Sequence, residues 1–174
     1  MVGDDPAAKS SSVPAASEKS LAALGMPIFF PRNAEEVIVF GMYGVELSRL
    51  SGCWSSMKLV ADVADGIWTV DRDFADFVIH RPTLTWEGRP WTYRQRILAS
   101  PPDSLLAEAD MYGPRWEMVR LFNEHNDIDS IDVDPPSARL GIVAVGTAYD
   151  SVRQALSELG LDEDRLFDLG IRVM

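Results

Sequence analysis

The stretch Leu140-Gly141-Ile142-Val143-Ala144-Val145 constrains the fold most, because an unbroken run without a polar side chain is what a strand buried on both faces of a parallel sheet requires. Gly146 and Thr147 form its exit. Thr147 with Asp150 three residues on reads as a capping-box-like helix start, and Val152, Ala155, Leu156 and Leu159 trace the inward stripe of a helix that stops at Gly160. Asp162 caps a further short helix through Leu169, Gly170 closes it, and Ile171-Arg172-Val173-Met174 begins a second strand. Strand, helix and strand in this order predict a parallel sheet covered by helices. A unit whose second strand has only begun is either a sheet edge or a piece of something longer.

The same alternation runs through the first third of the chain. Val2 leads into Gly3-Asp4-Asp5-Pro6, a strand end turning into a polar loop that continues through Lys9 and Ser10-Ser11-Ser12. Ligands of open α/β sheets sit beyond the carboxyl ends of strands, so a hydroxyl-rich loop with one lysine is placed to face a phosphate or a carboxylate. The alternative is a plain turn whose serines cap a helix. Ser17 to Leu24 suits a short helix closed by Gly25, and Met26 to Phe30 a buried strand ended by Pro31. Asn33 and Glu36 make a variant capping box, so a helix is expected from Ala34 to about Leu50, with Val37, Phe40, Gly44 and Leu47 inward. Gly41 and Gly44 inside it mark either close approach of another backbone or mere tolerance. Met57 to Val63 is read as a strand, with a helical turn as the alternative.

From about Gly66 the texture changes. Trp68, Phe74, Phe77, Leu84, Trp86, Trp91 and Tyr93 are broken by Asp71, Pro82, Gly88 and Pro90, which fits short strands and turns in a connector over residues 67–112. The tryptophans at 68, 86 and 91 either line a ligand pocket or fill a small sheet core. Gly113-Pro114 introduces a helix carrying Trp116, Val119, Leu121 and Phe122, which ends at Asn123 to Asn126. The aspartates at 127, 129, 132 and 134 do not form a calcium loop, since the sixth position is Asp132 instead of glycine and the twelfth is Ala138 instead of glutamate. They read as a solvated linker.

Charge and composition exclude several functions. Sixteen basic against 27 acidic residues give a net charge of -11, which argues against nucleic acid or an anionic membrane as partner. Cys53 is the only cysteine, so the chain holds neither an internal disulfide nor a four-cysteine cluster; a buried, inert thiol in a reducing, cytoplasmic setting is expected. No run approaches the roughly 20 apolar residues of a membrane span. His80 and His125 lack partners at zinc-ligand spacing, and P-loop, dinucleotide and serine-hydrolase motifs are absent, so no catalytic residue and no metal ligand is assigned.

Four stretches, in order and spacing across nearly the whole chain, carry a resemblance. They are Gly3-Asp4-Asp5-Pro6-Ala7-Ala8-Lys9-Ser10-Ser11 running on to Ser17-Glu18; Leu24-Gly25-Met26-Pro27 with Leu47-Ser48-Arg49-Leu50-Ser51-Gly52; Lys58-Leu59-Val60-Ala61-Asp62-Val63; and Ser137-Ala138-Arg139-Leu140-Gly141-Ile142-Val143 with Val152-Arg153-Gln154-Ala155-Leu156. With them the chain resembles the large fused bacterial indolepyruvate ferredoxin oxidoreductases, thiamine-diphosphate enzymes of the 2-oxoacid:ferredoxin oxidoreductase superfamily. The resemblance implies that residues 1–66 are the latter part of a doubly wound thiamine pyrimidine-binding domain. It implies further that residues 67–112 are the strand-rich connector, and that residues 113–174 open a transketolase C-terminal-like α/β domain. It places Asp5, Lys9, Ser10 and Ser11 near the cofactor.

The implied reaction is oxidative decarboxylation of an aryl 2-oxoacid, indolepyruvate, to its acyl-CoA, with ferredoxin as electron acceptor. Thiamine diphosphate with magnesium and iron–sulfur clusters belong to the full enzyme. The activating glutamate is expected upstream of Met1, the diphosphate and metal motif far downstream, and the cluster cysteines elsewhere. The chain is therefore expected to be an internal fragment, inactive and without cofactor alone, acting as a homo-oligomer or with a partner bearing the missing domains. The reading from a different class is a non-catalytic scaffold or subunit that binds such a partner.

Overall fold

The computed structural model describes residues 1–95 and 100–174. Strands β1 (Val2–Asp4), β2 (Ile28–Phe29) and β3 (Ser56–Val60) form a parallel sheet in the order β1-β3-β2, with Val2 opposite Lys58 and Phe29 opposite Met57. A short helix α1 (Glu18–Ala23) connects the first two strands, and the long α2 (Ala34–Ser51) the second two. The start of α2 is as the sequence predicts: the Asn33 side chain accepts the Glu36 N–H at 2.9 Å. Gly52 ends it at φ +72°, a left-handed conformation that glycine adopts without strain.

The inward face of α2 is the expected one in part: Gly44 and Leu47 are buried as expected, but Val39 and Tyr43 are buried beside them, while Val37 and Phe40 are only half-buried against the same core. The reason lies outside the helix, since aromatic rings arrive on that side: Tyr43 lies 5.3 Å from Phe77 and 5.9 Å from Phe122 between ring centroids. Gly44 does mark a close approach, although to side chains: a Cβ there would lie 3.3 Å from Ser55 Oγ and 3.5 Å from Phe29. Gly41 has only an ordinary contact, with Met57 at 3.9 Å. The strand expected through Val63 stops at Val60, where a single helical turn α3 (Ala61–Ala64) begins.

In the middle region one antiparallel hairpin forms, β4 (Leu84–Trp86) with β5 (Arg89–Trp91), across a turn in which Glu87 and Gly88 both have positive φ, as a type I′ turn requires. The region also contains a helix that the sequence reading missed, α4 (Asp103–Asp110). A kink at Gly113, with φ −101° and ψ −108°, and then Pro114 separate it from α5 (Trp116–Asn126). This last helix packs Val119 and Phe122 into the α2 core. Fully burying Leu47 and Phe122 contributes roughly 1.5–3 kcal/mol each.

Beyond Asn126 a second, smaller core begins, made of Val133, Leu156, Leu166 and Val173. It holds β6 (Leu140–Ile142), α6 (Thr147–Glu158), α7 (Glu163–Asp168) and β7 (Ile171–Val173), with β6 and β7 parallel. Asp162 caps α7 as expected, accepting the Arg165 N–H at 2.9 Å. Three expectations fail here. The segment read as a solvated linker buries Val133, which forms an antiparallel bridge to Val173. Thr147 does not cap α6: the N-cap is Gly146 without a side-chain bond, and Asp150 turns to Arg32.

The third failure concerns the apolar run itself. Val143 is 71% exposed, Val145 57% and, at the C-cap of α6, Leu159 73%. Among the described residues β6 pairs only with β7, so one of its edges is unpaired. Helices with small parallel and antiparallel sheets are consistent with the α/β class. No helix among the described residues is long and apolar enough to cross a membrane.

Candidate functional site

Parallel strands send their carboxyl ends to one side, and here two sheets do so toward a common cleft of about 540 Å³. Phe30, at the end of β2, and Glu18, at the start of α1, form one wall. Val143 to Gly146 after β6, and Met174 after β7, form the other. Gly146 is required at this seam, because its φ is +57° and a Cβ would lie 2.7 Å from the Phe30 ring. Arg32 joins the walls: it pairs with Glu36 at 2.7 Å and Asp150 at 3.1 Å, and its guanidinium lies 5.0 Å from the Tyr149 ring centroid. The Tyr149 hydroxyl in turn donates to Asp132.

Behind the first wall lies a charge cluster that the sequence reading passed over. Lys58 is 1% exposed, with its ammonium 3.6 Å from the equally buried Asp4, in contact with Glu18, and 4.6 Å from the Phe30 ring centroid. Ser17 completes it, donating its N–H and hydroxyl to Asp4 at 2.8 and 2.6 Å. Burial pushes the Asp4 carboxyl up, but the two Ser17 bonds and Lys58 outweigh that and hold it below the ordinary range. The hydrogen bond from Lys58 lowers Glu18 too. The available signal was a lysine alternating with apolar residues in Met57-Lys58-Leu59-Val60, which in a buried strand demands an acid opposite.

Asp5, Ser10 and Ser11 come together on one carboxylate. Asp5 accepts the N–H groups of Lys9 (2.8 Å), Ser10 (2.7 Å) and Ser11 (2.7 Å) and the Ser11 hydroxyl (2.9 Å). These bonds, that from the Ser10 N–H foremost, hold its carboxyl far below the usual carboxylate range. The backbone donors of the turn are thus occupied by the chain's own anion. The Lys9 ammonium reaches away to Asp62 at 2.6 Å. The cleft is lined by Glu18 rather than by this turn. His80 and His125 stand apart: the His80 N–H bonds Asn126, and His125 Nδ1 lies 2.8 Å from the Leu121 carbonyl. Cys53 is fully buried.

No curated protein and no solved structure matches the chain. Residues 128–174, which carry the second core and the β6 wall of the cleft, match the family model of the indolepyruvate ferredoxin oxidoreductase middle domain.

Proposed function

We propose that the chain is one part of a thiamine-diphosphate-dependent oxidoreductase of the indolepyruvate ferredoxin oxidoreductase type, acting on an aryl 2-oxoacid with coenzyme A and ferredoxin, and inactive alone. The carrying observation is the family match over residues 128–174, which takes in the β6 side of a cleft at the carboxyl ends of two parallel sheets. When bound, thiamine diphosphate supplies the carbanion chemistry that decarboxylation needs.

The residues present do not fit the diphosphate and magnesium end of that cofactor. The turn donors of residues 9–11 are committed to Asp5, Lys9 is paired with Asp62, and among the described residues no three His, Cys, Asp or Glu side chains gather as a metal site. One buried cysteine cannot hold a cluster. In this reading other domains supply those groups, and Asp5 stiffens a turn through which Lys9, Ser10 and Ser11 border the assembled site.

A second reading, a non-catalytic subunit that binds a partner chain, draws on the exposure of Val143, Val145 and Leu159. Co-expression with the polypeptides encoded on either side of this chain separates the two. Enzyme action predicts dye reduction driven by an aryl 2-oxoacid and coenzyme A that disappears when this chain is omitted. A stable complex whose activity is the same without it supports the subunit reading, and absence of any complex defeats both.

A further inference from the structure

A second cleft, of about 590 Å³, adjoins the first, sharing Ile28, Phe29, Ile128 and Asp129 with it, and is within the size range of small-molecule sites. Its walls are aromatic: Trp86 from the hairpin, Tyr112 before the helix kink and Trp116 at the start of α5. The kink shapes it. Gly113 leaves helical geometry and lays its backbone against Trp86, so that a Cβ there would lie 3.2 Å from Trp86 Cζ2.

The charges that the described residues turn toward the cleft favour one sign. Arg120, its one lining cation, is consumed: Nε and Nη2 donate to both oxygens of Glu117 at 3.0 and 2.7 Å, and Nη1 donates to Glu124. Asp129, also on the wall, has Oδ2 bound by the Asn123 amide at 3.0 Å and no donor on Oδ1 among the described residues. An anion would meet the Asp129 carboxylate and a guanidinium already paired twice. A cation would meet that carboxylate within a wall that includes two tryptophans.

We propose that this cleft binds an arylalkyl ammonium ion, its ring against Trp86 and Trp116 and its ammonium at Asp129. The site adjoins the cleft between the two sheets, with which it shares Asp129, and does not depend on the function proposed for that cleft.

Three probes that share a phenylethyl group test it on the whole chain by calorimetry and tryptophan fluorescence: 2-phenylethylamine, the neutral 2-phenylethanol and the anionic 3-phenylpropanoate. The amine is expected to bind saturably, the alcohol about tenfold more weakly and the acid not at all. Asp129→Asn, at an exposed position, should weaken the amine about tenfold and leave the alcohol unchanged. Gly113→Val, which displaces Trp86, should weaken both. No saturable binding of the amine, equal binding of the acid, or an Asp129→Asn protein that binds the amine undiminished overturns the proposal.

Discussion

The Lys58 ammonium lies 3.6 Å from the Asp4 carboxylate, and both side chains are almost wholly closed to solvent. Taking one partner from a buried pair strands the other charge, at a cost of about 3–5 kcal/mol, whereas replacing both by apolar groups is often neutral. Lys58→Met should lower urea stability by an amount in that range, and Asp4→Asn by less, because Lys58 keeps its contact with Glu18. Lys58→Met combined with Asp4→Leu should recover most of the loss. Single variants within about 1 kcal/mol of the parent would show that the pair contributes little.

Asp4, Asp5 and Glu18 all have carboxyls held below their ordinary values in the folded chain. A depressed carboxyl contributes stability that is present above its unfolded pKa, near 4, and is lost as pH falls through the folded value. Thermal unfolding followed from pH 7 downward should therefore stay level to about pH 5 and fall below about pH 4. Asp5→Asn should flatten that acid limb and lower stability at neutral pH, because an amide cannot accept all the bonds from Lys9, Ser10 and Ser11 at the same strength. A parent protein no less stable at pH 3 than at pH 7 would contradict the assignment.

Local chemistry was legible in the sequence where a few neighbouring residues decide the outcome. The caps at Asn33 and Asp162 and the glycine stops at 25, 160 and 170 stand where they were read. Burial was less legible, because it depends on what arrives from elsewhere. The inward face of α2 is set by Phe77 and Phe122, far along the chain, and the run Leu140 to Val145 has the composition of a doubly covered strand without the cover. Helix α4 was missed because Pro101-Pro102 and the polar residues around it mask a short amphipathic turn pattern. For the site, the polar loop drew notice through its serines. The more deeply buried cluster at Lys58 went unseen, since its acids lie 54 and 40 residues away in sequence, counting from Lys58 back to Asp4 and Glu18.

Arg32 is the one described cation that touches both walls of the cleft between the sheets, through Glu36 on one side and Asp150 and Tyr149 on the other. Its pairs are partly exposed and therefore weak, within about 1 kcal/mol. Arg32→Ala should change global stability by no more than that. It should nonetheless loosen the seam, seen as faster proteolytic cleavage between residues 127 and 132, and the parent should approach the same rate in high salt. Cleavage at an unchanged rate would mean that Arg32 does not hold the walls together.

Val143 and Val145, in the segment that follows β6, are 71% and 57% exposed. Such a contiguous apolar surface beside an unpaired strand edge promotes association. The parent chain should elute from size-exclusion chromatography as a concentration-dependent mixture. Val143→Lys with Val145→Lys should shift it to monomer with little loss of stability, because neither side chain packs in the core. A compact monomer at all concentrations for the parent would remove the support that these residues lend to a partner surface.

Thiamine diphosphate provides the sharpest test of how much of a site this chain carries. Its diphosphate needs backbone donors or cations, and its metal needs clustered oxygen ligands. The turn donors at Lys9, Ser10 and Ser11 are saturated by Asp5, and Lys9 itself is paired with Asp62 at 2.6 Å. Releasing them means breaking several charge-assisted bonds to a carboxylate whose pKa lies far below normal, so an incoming phosphate must compete with a tethered anion. Calorimetry with thiamine diphosphate and magnesium on the 174 residues should show no heat of binding. If Asp5→Asn then creates binding, the turn is a cradle held shut by its own aspartate; if the parent already binds at micromolar concentrations, the chain carries far more of the site than its side chains indicate.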